Sequence, residues 1–91
     1  MEYAIKKANM DDVIRLRHIV MWPDKDVDFV RVPEDEAGKH FGVYMDGRII
    51  SVISVFVERG ELQFRKFATL TEYQGQGYGT ALLKYVFETA V

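Results

Sequence analysis

The stretch Arg48-Ile49-Ile50-Ser51-Val52-Ile53-Ser54-Val55-Phe56-Val57 restricts the fold more than any other part of the chain. Read with a period of two, it places Ile50, Val52, Ser54 and Phe56 on one side and Ile49, Ser51, Ile53, Val55 and Val57 on the other. Both sides are largely apolar, so this strand is expected at the centre of a sheet covered on both faces. Its partners adjoin it. Asp46-Gly47, a strong hairpin signal, joins it to His40–Met45, which has strand composition. Glu58-Arg59-Gly60 is a second tight connection, leading to a returning strand over Glu61–Thr69. In that third strand Leu62 and Phe64 share a face, but the next large apolar residue, Phe67, comes three positions later. A phase slip of one residue is the trace of a β-bulge, expected near Arg65-Lys66. An exposed Arg65 beside a half-buried Lys66 stem is the alternative that needs no bulge.

Before this meander, Tyr3–Lys7 alternates as a short strand, and Asn9 is placed to cap a helix over Met10–Met21. Val13, Leu16 and Val20 form its apolar stripe, with Ile14, Arg17 and Met21 also in helical phase, and Pro23 ends it. From Trp22 to Gly38 the chain carries Pro23, Pro33 and the acids Asp24, Asp26, Asp28, Glu34, Asp35 and Glu36. This reads as a solvated connector with one helical turn over 34–39. The functional alternative is a substrate-facing loop, with Trp22 and Phe29 as walls and the carboxylates selecting a cation. Ninety-one residues make one small domain over 1–91. A net charge of −2 gives no reason to expect nucleic-acid binding. No apolar run is long enough to cross a bilayer, which gives no membrane association and a default cytoplasmic location. With no cysteine, disulfides and thiolate metal sites are excluded, and His18 and His40 alone make no metal site.

Between the third strand of the meander and a helical segment over Ala81–Glu88 lies Gln74-Gly75-Gln76-Gly77-Tyr78-Gly79-Thr80. Glycines at alternate positions permit φ > 0 and let successive N–H groups point into one concavity. The following helix adds its N-terminal N–H groups and the positive end of its dipole, so the turn is an anion site suited to a pyrophosphate. The dinucleotide fingerprint needs its third glycine where Thr80 stands, and a P-loop needs a Lys-Ser or Lys-Thr pair that is missing.

Gln74-x-x-Gly77-x-Gly79 directly after a strand resembles the acetyl-coenzyme A signature, Arg/Gln-x-x-Gly-x-Gly/Ala, of the GNAT superfamily of N-acetyltransferases. Phe67-Ala68-Thr69 stands where that family ends its fourth strand, and Tyr73 where an aromatic often precedes the motif; Thr71 replaces a frequent Pro. The element order is also similar. The resemblance implies an α+β fold: a mixed sheet, mainly antiparallel, with helices packed on it. Members usually continue with a splayed fifth strand, another helix and two more strands. This chain, whose last helix has no C-terminal cap, is expected to be a shortened form of that domain.

The resemblance further implies acetyl-CoA as co-substrate and an amine acceptor, with Phe67, Ala68, Thr69, Gln74, Gly75, Gln76, Gly77, Tyr78, Gly79 and Thr80 at the cofactor. The N–H groups from Gln76 to Thr80 would take the pyrophosphate, Thr80 adding a hydroxyl or merely favouring the first helical turn. Phe67 and Thr69 would offer main-chain groups to the pantetheine arm, and Tyr73 is read as packing. The family's acid is often a Tyr on the helix after the fifth strand, so none of the five tyrosines takes that role by motif. Candidate bases are Glu61, Glu72 and His40. Uncovered apolar surface beside the third meander strand is expected to drive self-association.

Overall fold

The computed structural model describes residues 3–30 and 38–90. In chain order these form β1 (Ala4–Lys7), α1 (Met10–Val20), α2 (Val27–Val30), β2 (Lys39–Met45), β3 (Arg48–Glu58), β4 (Glu61–Thr69), a 3-10 turn (Thr71–Tyr73) and α3 (Tyr78–Ala90). The sheet order is β1-β2-β3-β4, and every pairing is antiparallel. The doubly apolar strand is therefore internal, and Ile49–Phe56 is buried throughout while Val57 emerges.

Both hairpins of the meander close with two central residues at positive φ: Asp46 (53°) with Gly47 (79°), and Arg59 (55°) with Gly60 (78°). That is the turn geometry whose twist matches antiparallel strands. Two irregularities break the ladder. Val43 pairs with Ser51 but Tyr44 with Ile49, which leaves Ile50 as an extra residue. Val52 pairs with Ala68 but Ser54 with Arg65, so Lys66 and Phe67 together oppose Ile53. The second is the bulge expected from the phase slip, and Lys66 takes the left-handed conformation in it, at φ 56°.

The two long helices lie on opposite faces of the sheet. Helix α1 covers the face carrying His40, Tyr44, Val52 and Ser54, and α3 covers the face carrying Phe41, Ser51 and Ile53. Asn9 caps α1, its Oδ1 accepting from Asp12 N–H at 2.8 Å. Val13 and Leu16 face the core as the spacing requires, but Ile14 and Arg17 are buried with them and Val20 is only half-buried. Arg17 is tolerated inside because the sheet face beneath it is polar at one point. Its Nη2 donates to Ser54 Oγ at 2.7 Å, and Ser54 Oγ lies 2.7 Å from His40 Nδ1. Nearer the start of the helix, Tyr44 donates its hydroxyl to Asp12 Oδ2 at 2.8 Å. Burial, followed by that carboxylate, pushes the phenol from 10.0 up to about 12.

The stretch expected as a plain connector contains the short helix α2, with Trp22 half-buried and Asp24 and Asp26 exposed. Glu34, Asp35 and Glu36 and the side chains of Asp28 and Phe29 lie outside the described residues; of the helical turn expected over 34–39, only Gly38 and Lys39 are described, and they are a bend and the first residue of β2, not helix. Among the described residues, no helix is long and apolar enough to cross a membrane.

Candidate functional site

The end of β4 and the start of α3 are joined by the 3-10 turn and the glycine turn, and a cleft of about 300 Å³ opens beside them. The glycines act in two ways. Gly75 (φ 76°) and Gly77 (φ 88°) occupy the left-handed region, where a side chain is disfavoured. Gly79 is helical; an added Cβ would come within 2.9 Å of Phe67 Cζ, so glycine there lets α3 sit against the end of β4.

Two glutamines hold the turn to its surroundings. Gln74 Nε2 donates to the Thr69 carbonyl and Gln76 Nε2 to the Glu72 carbonyl, each at 3.0 Å. On the inner side, Tyr78 packs edge-on against Tyr73 at 5.9 Å and against Tyr3 at 5.3 Å between ring centroids. The first bond inside α3 runs from Ala81 N–H to the Gly77 carbonyl, at 3.0 Å. The amides of Tyr78, Gly79 and Thr80 precede it and have no acceptor within the helix. A 13-residue helix contributes its dipole at the same point.

Of the ten residues expected at the cofactor, Phe67, Thr69, Gln74, Gly75, Gly77, Tyr78, Gly79 and Thr80 line the cleft. Ala68 and Gln76 do not. Ala68 pairs with Val52, so its side chain is buried on the opposite face of the sheet, and the Gln76 side chain folds back on the 3-10 turn. Thr69 is held from behind, its Oγ1 2.7 Å from Ser51 Oγ, which also donates to the Ala68 carbonyl at 3.2 Å. Ser51 has one proton to give, so Thr69 donates to Ser51 and keeps acceptor capacity. With Gln74 on its carbonyl, Thr69 is fixed at both main chain and side chain.

Tyr73 and Leu83 also line the cleft. Leu83 was legible, because it stands four residues after Gly79 on one helical face. Ser51 was not, since only the β3–β4 register brings it to Thr69. Among the described residues, none that lines the cleft is charged. The electrostatics are those of oriented amides and a helix N-terminus, which suit an anion that must be held without a Lys or Arg clamp.

The three candidate bases do not reach this cleft. Glu61 is exposed at the β3–β4 hairpin, and Glu72 lies 3.8 Å from Arg48 in an exposed ion pair. His40 is buried on the α1 face beside Ser54, its ring edge-on to Phe56 at 6.2 Å.

Residues 7–91 match the family model described as the acetyltransferase (GNAT) family. The chain is 29% identical to an uncharacterised N-acetyltransferase of Bacillus subtilis (strain 168), over 89% of this chain and 60% of that protein. Among solved structures, it superposes on a ribosomal-protein alanine N-acetyltransferase of Escherichia coli with a TM-score of 0.77 at 18% identity. That alignment covers 96% of this chain and 58% of the other. It also superposes on a GNAT-family acetyltransferase of Elizabethkingia anophelis solved with acetyl-CoA bound, with a TM-score of 0.72 at 20% identity. There the coverage is 97% of this chain and 57% of the other. The chain thus spans about three fifths of the length of each of these three proteins.

Proposed function

The chain belongs to the acetyltransferase (GNAT) family, and from that premise we propose that it binds acetyl-CoA at the glycine turn. We further propose that it serves acetyl transfer to a primary amine of a small molecule or protein, by direct attack of the amine on the thioester. One observation carries the reading: a bulged strand end and the first amides of a long helix meet in a single uncharged cleft. The residues fit the co-substrate. The amides of Tyr78, Gly79 and Thr80 hold the pyrophosphate. Phe67 and Leu83 provide an apolar wall for the pantetheine arm, and the Thr69 hydroxyl accepts from an amide N–H of that arm. Acetyl-CoA brings the activated acetyl group, and this chain's part is to hold and orient it. Residues 1–91 act here as one GNAT-like unit, located in the cytoplasm.

Isothermal titration with acetyl-CoA tests this reading. Saturable one-to-one binding is expected, and Gly77→Asp is expected to abolish it, because a side chain and a like charge enter the phosphate site. Absence of heat from the folded wild-type chain would overturn the proposal.

A second reading is supported by the placement of Glu61, Glu72 and His40 outside the cleft: the chain binds CoA without turning it over. Binding combined with no acetylation across a panel of amines selects this reading. Self-association belongs to both. Val57 is 71% exposed and Phe87 52% exposed, close to the outer edge of β4.

A further inference from the structure

We propose that Tyr3 is a positioning residue for the acetyl-CoA site: through the Tyr78 ring it fixes the first turn of α3, whose amides hold the pyrophosphate. It rests on the acetyl-CoA reading of the cleft and adds a residue from the other end of the chain. Tyr3 immediately precedes β1, and its ring meets Tyr78 edge-on with centroids 5.3 Å apart. The strand register brings the two together. Ala4 pairs with Tyr44, Val43 beside it with Ser51, and Ser51 with Thr69, so the start of β1 and the end of β4 share one margin of the sheet. Lys7 pairs with Phe41, which meets Tyr85 of α3, and alternation puts Tyr3 on that same face.

The amides that hold the pyrophosphate lie ahead of the part of α3 that the core secures. Tyr78, Gly79 and Ala81 are half-buried and Thr80 is exposed; Leu82 is the first residue of the helix to be fully buried. The glycines before it give no packing support, since a Cβ on Gly75 or Gly77 would meet nothing within 4 Å. The glutamine clasps reach back to Thr69 and Glu72, so they hold the turn on its upstream side. Downstream, the Tyr78 ring sits between Tyr73, 5.9 Å away, and Tyr3. Tyr73 belongs to the 3-10 turn that leads into the same loop and moves with it. Tyr3 is carried by β1, whose four residues pair with β2, and gives the slot a wall fixed to the sheet.

Helix ends fray, and donors held in place before the ligand arrives lose less freedom on binding it. Tyr78 lines the cleft while Tyr3 does not, so Tyr3 acts through its neighbour. At 45% exposed it is a poor core anchor, and the edge-on ring contact is the interaction that gives it a role. Such a contact changes an equilibrium constant by about two- to tenfold. The coupling is reciprocal: whatever factor Tyr3 adds to acetyl-CoA affinity, bound acetyl-CoA adds to the docking of β1.

Isothermal titration of the full chain with acetyl-CoA tests the proposal. Tyr3→Ala is expected to weaken binding about fivefold, and Tyr3→Phe, which keeps the ring, to bind as the wild type does. Tyr78→Ala removes the intermediary, so adding Tyr3→Ala to it is expected to weaken binding no further. Unchanged affinity in Tyr3→Ala, an equal loss in Tyr3→Phe, or a second loss in the double variant overturns the assignment. Hydrogen exchange on the wild type gives a readout that needs no variant and holds whatever Tyr3→Ala does to folding. Amides of an edge strand exchange by local opening, which a ligand slows only where it is coupled to that opening. Acetyl-CoA is expected to slow exchange across β1; unchanged exchange there overturns the assignment. A wild type that binds no acetyl-CoA overturns the acetyl-CoA reading itself, whereas a binding wild type with an unaffected Tyr3→Ala overturns this inference alone.

Discussion

Tyr44 and Arg17 show what individual side chains do at the junction between α1 and the sheet. The Tyr44 phenol keeps its proton up to about 12 in the folded chain, against 10.0 ordinarily, because burial and the Asp12 carboxylate both oppose a second negative charge. The folded state binds that proton more tightly than the unfolded state. The resulting stabilisation is complete below pH 10 and lost as pH rises from 10 to 12. Tyr44→Phe should therefore be about 1–2 kcal/mol less stable than wild type at pH 8, from loss of a hydrogen bond to a charged acceptor. Urea unfolding should show that gap narrowing across pH 10–12; a gap independent of pH would contradict the assignment. Residues with a local signature were readable without coordinates: Asn9 as a cap, Asp46-Gly47 as a turn, and Gly75 and Gly77 where φ must be positive. Arg17 was readable only as a member of a helical phase. Its burial depends on Ser54, 37 residues away, and nothing local in either stretch announces the pair.

At the scale of elements, the site is a contact between the end of β4 and the first turn of α3, and Gly79 sets its distance. Gly79→Ala brings a Cβ against the far end of the Phe67 ring, which is partly exposed and free to swing outward. The expected result is a small loss of stability, under ~1 kcal/mol, with acetyl-CoA affinity lowered about tenfold, roughly 1.4 kcal/mol, as the cleft wall moves. Thermal melting and titration of the same sample check this. Unchanged affinity would show that Phe67 does not shape the cleft. The elements themselves followed from periodicity. β4 has the bounds expected of it, and the bulge sits one residue beyond where the Phe64–Phe67 slip placed it. The 3-10 turn, α2 and the second irregularity at Ile50 were not foreseen, because each is fixed by what it packs against rather than by its own residues. The cleft was legible as a glycine pattern after a strand. The glutamine clasps on Thr69 and Glu72 were not, since a Gln side chain has no preferred partner until the chain around it is folded.

The whole molecule joins near and distant parts of the chain very unequally. Along the meander, Met45 meets Arg48 and Glu58 meets Glu61, whereas β1 must bring Ala4 to Tyr44 and Lys7 to Phe41. Closing a long loop carries an entropic cost before any contact offsets it, so local pairings form first. The order of events is then β2-β3-β4 early, with α1 and β1 docking late. Ile53→Val should slow folding, and Ile5→Val should mainly speed unfolding, as read from stopped-flow kinetics across urea concentrations. If Ile5→Val slows folding as much as Ile53→Val does, the order is wrong. It follows that the outer edge of β4 is complete while the far edge of β2 still waits for β1. Until β1 docks, that side of the sheet ends on the seven-residue β2; afterwards it ends on the four-residue β1, a shorter edge for another chain to pair with. Concentration then bears on the timing of assembly as well as its end point: dilute chains close β1 first, and crowded chains meet each other before they are finished.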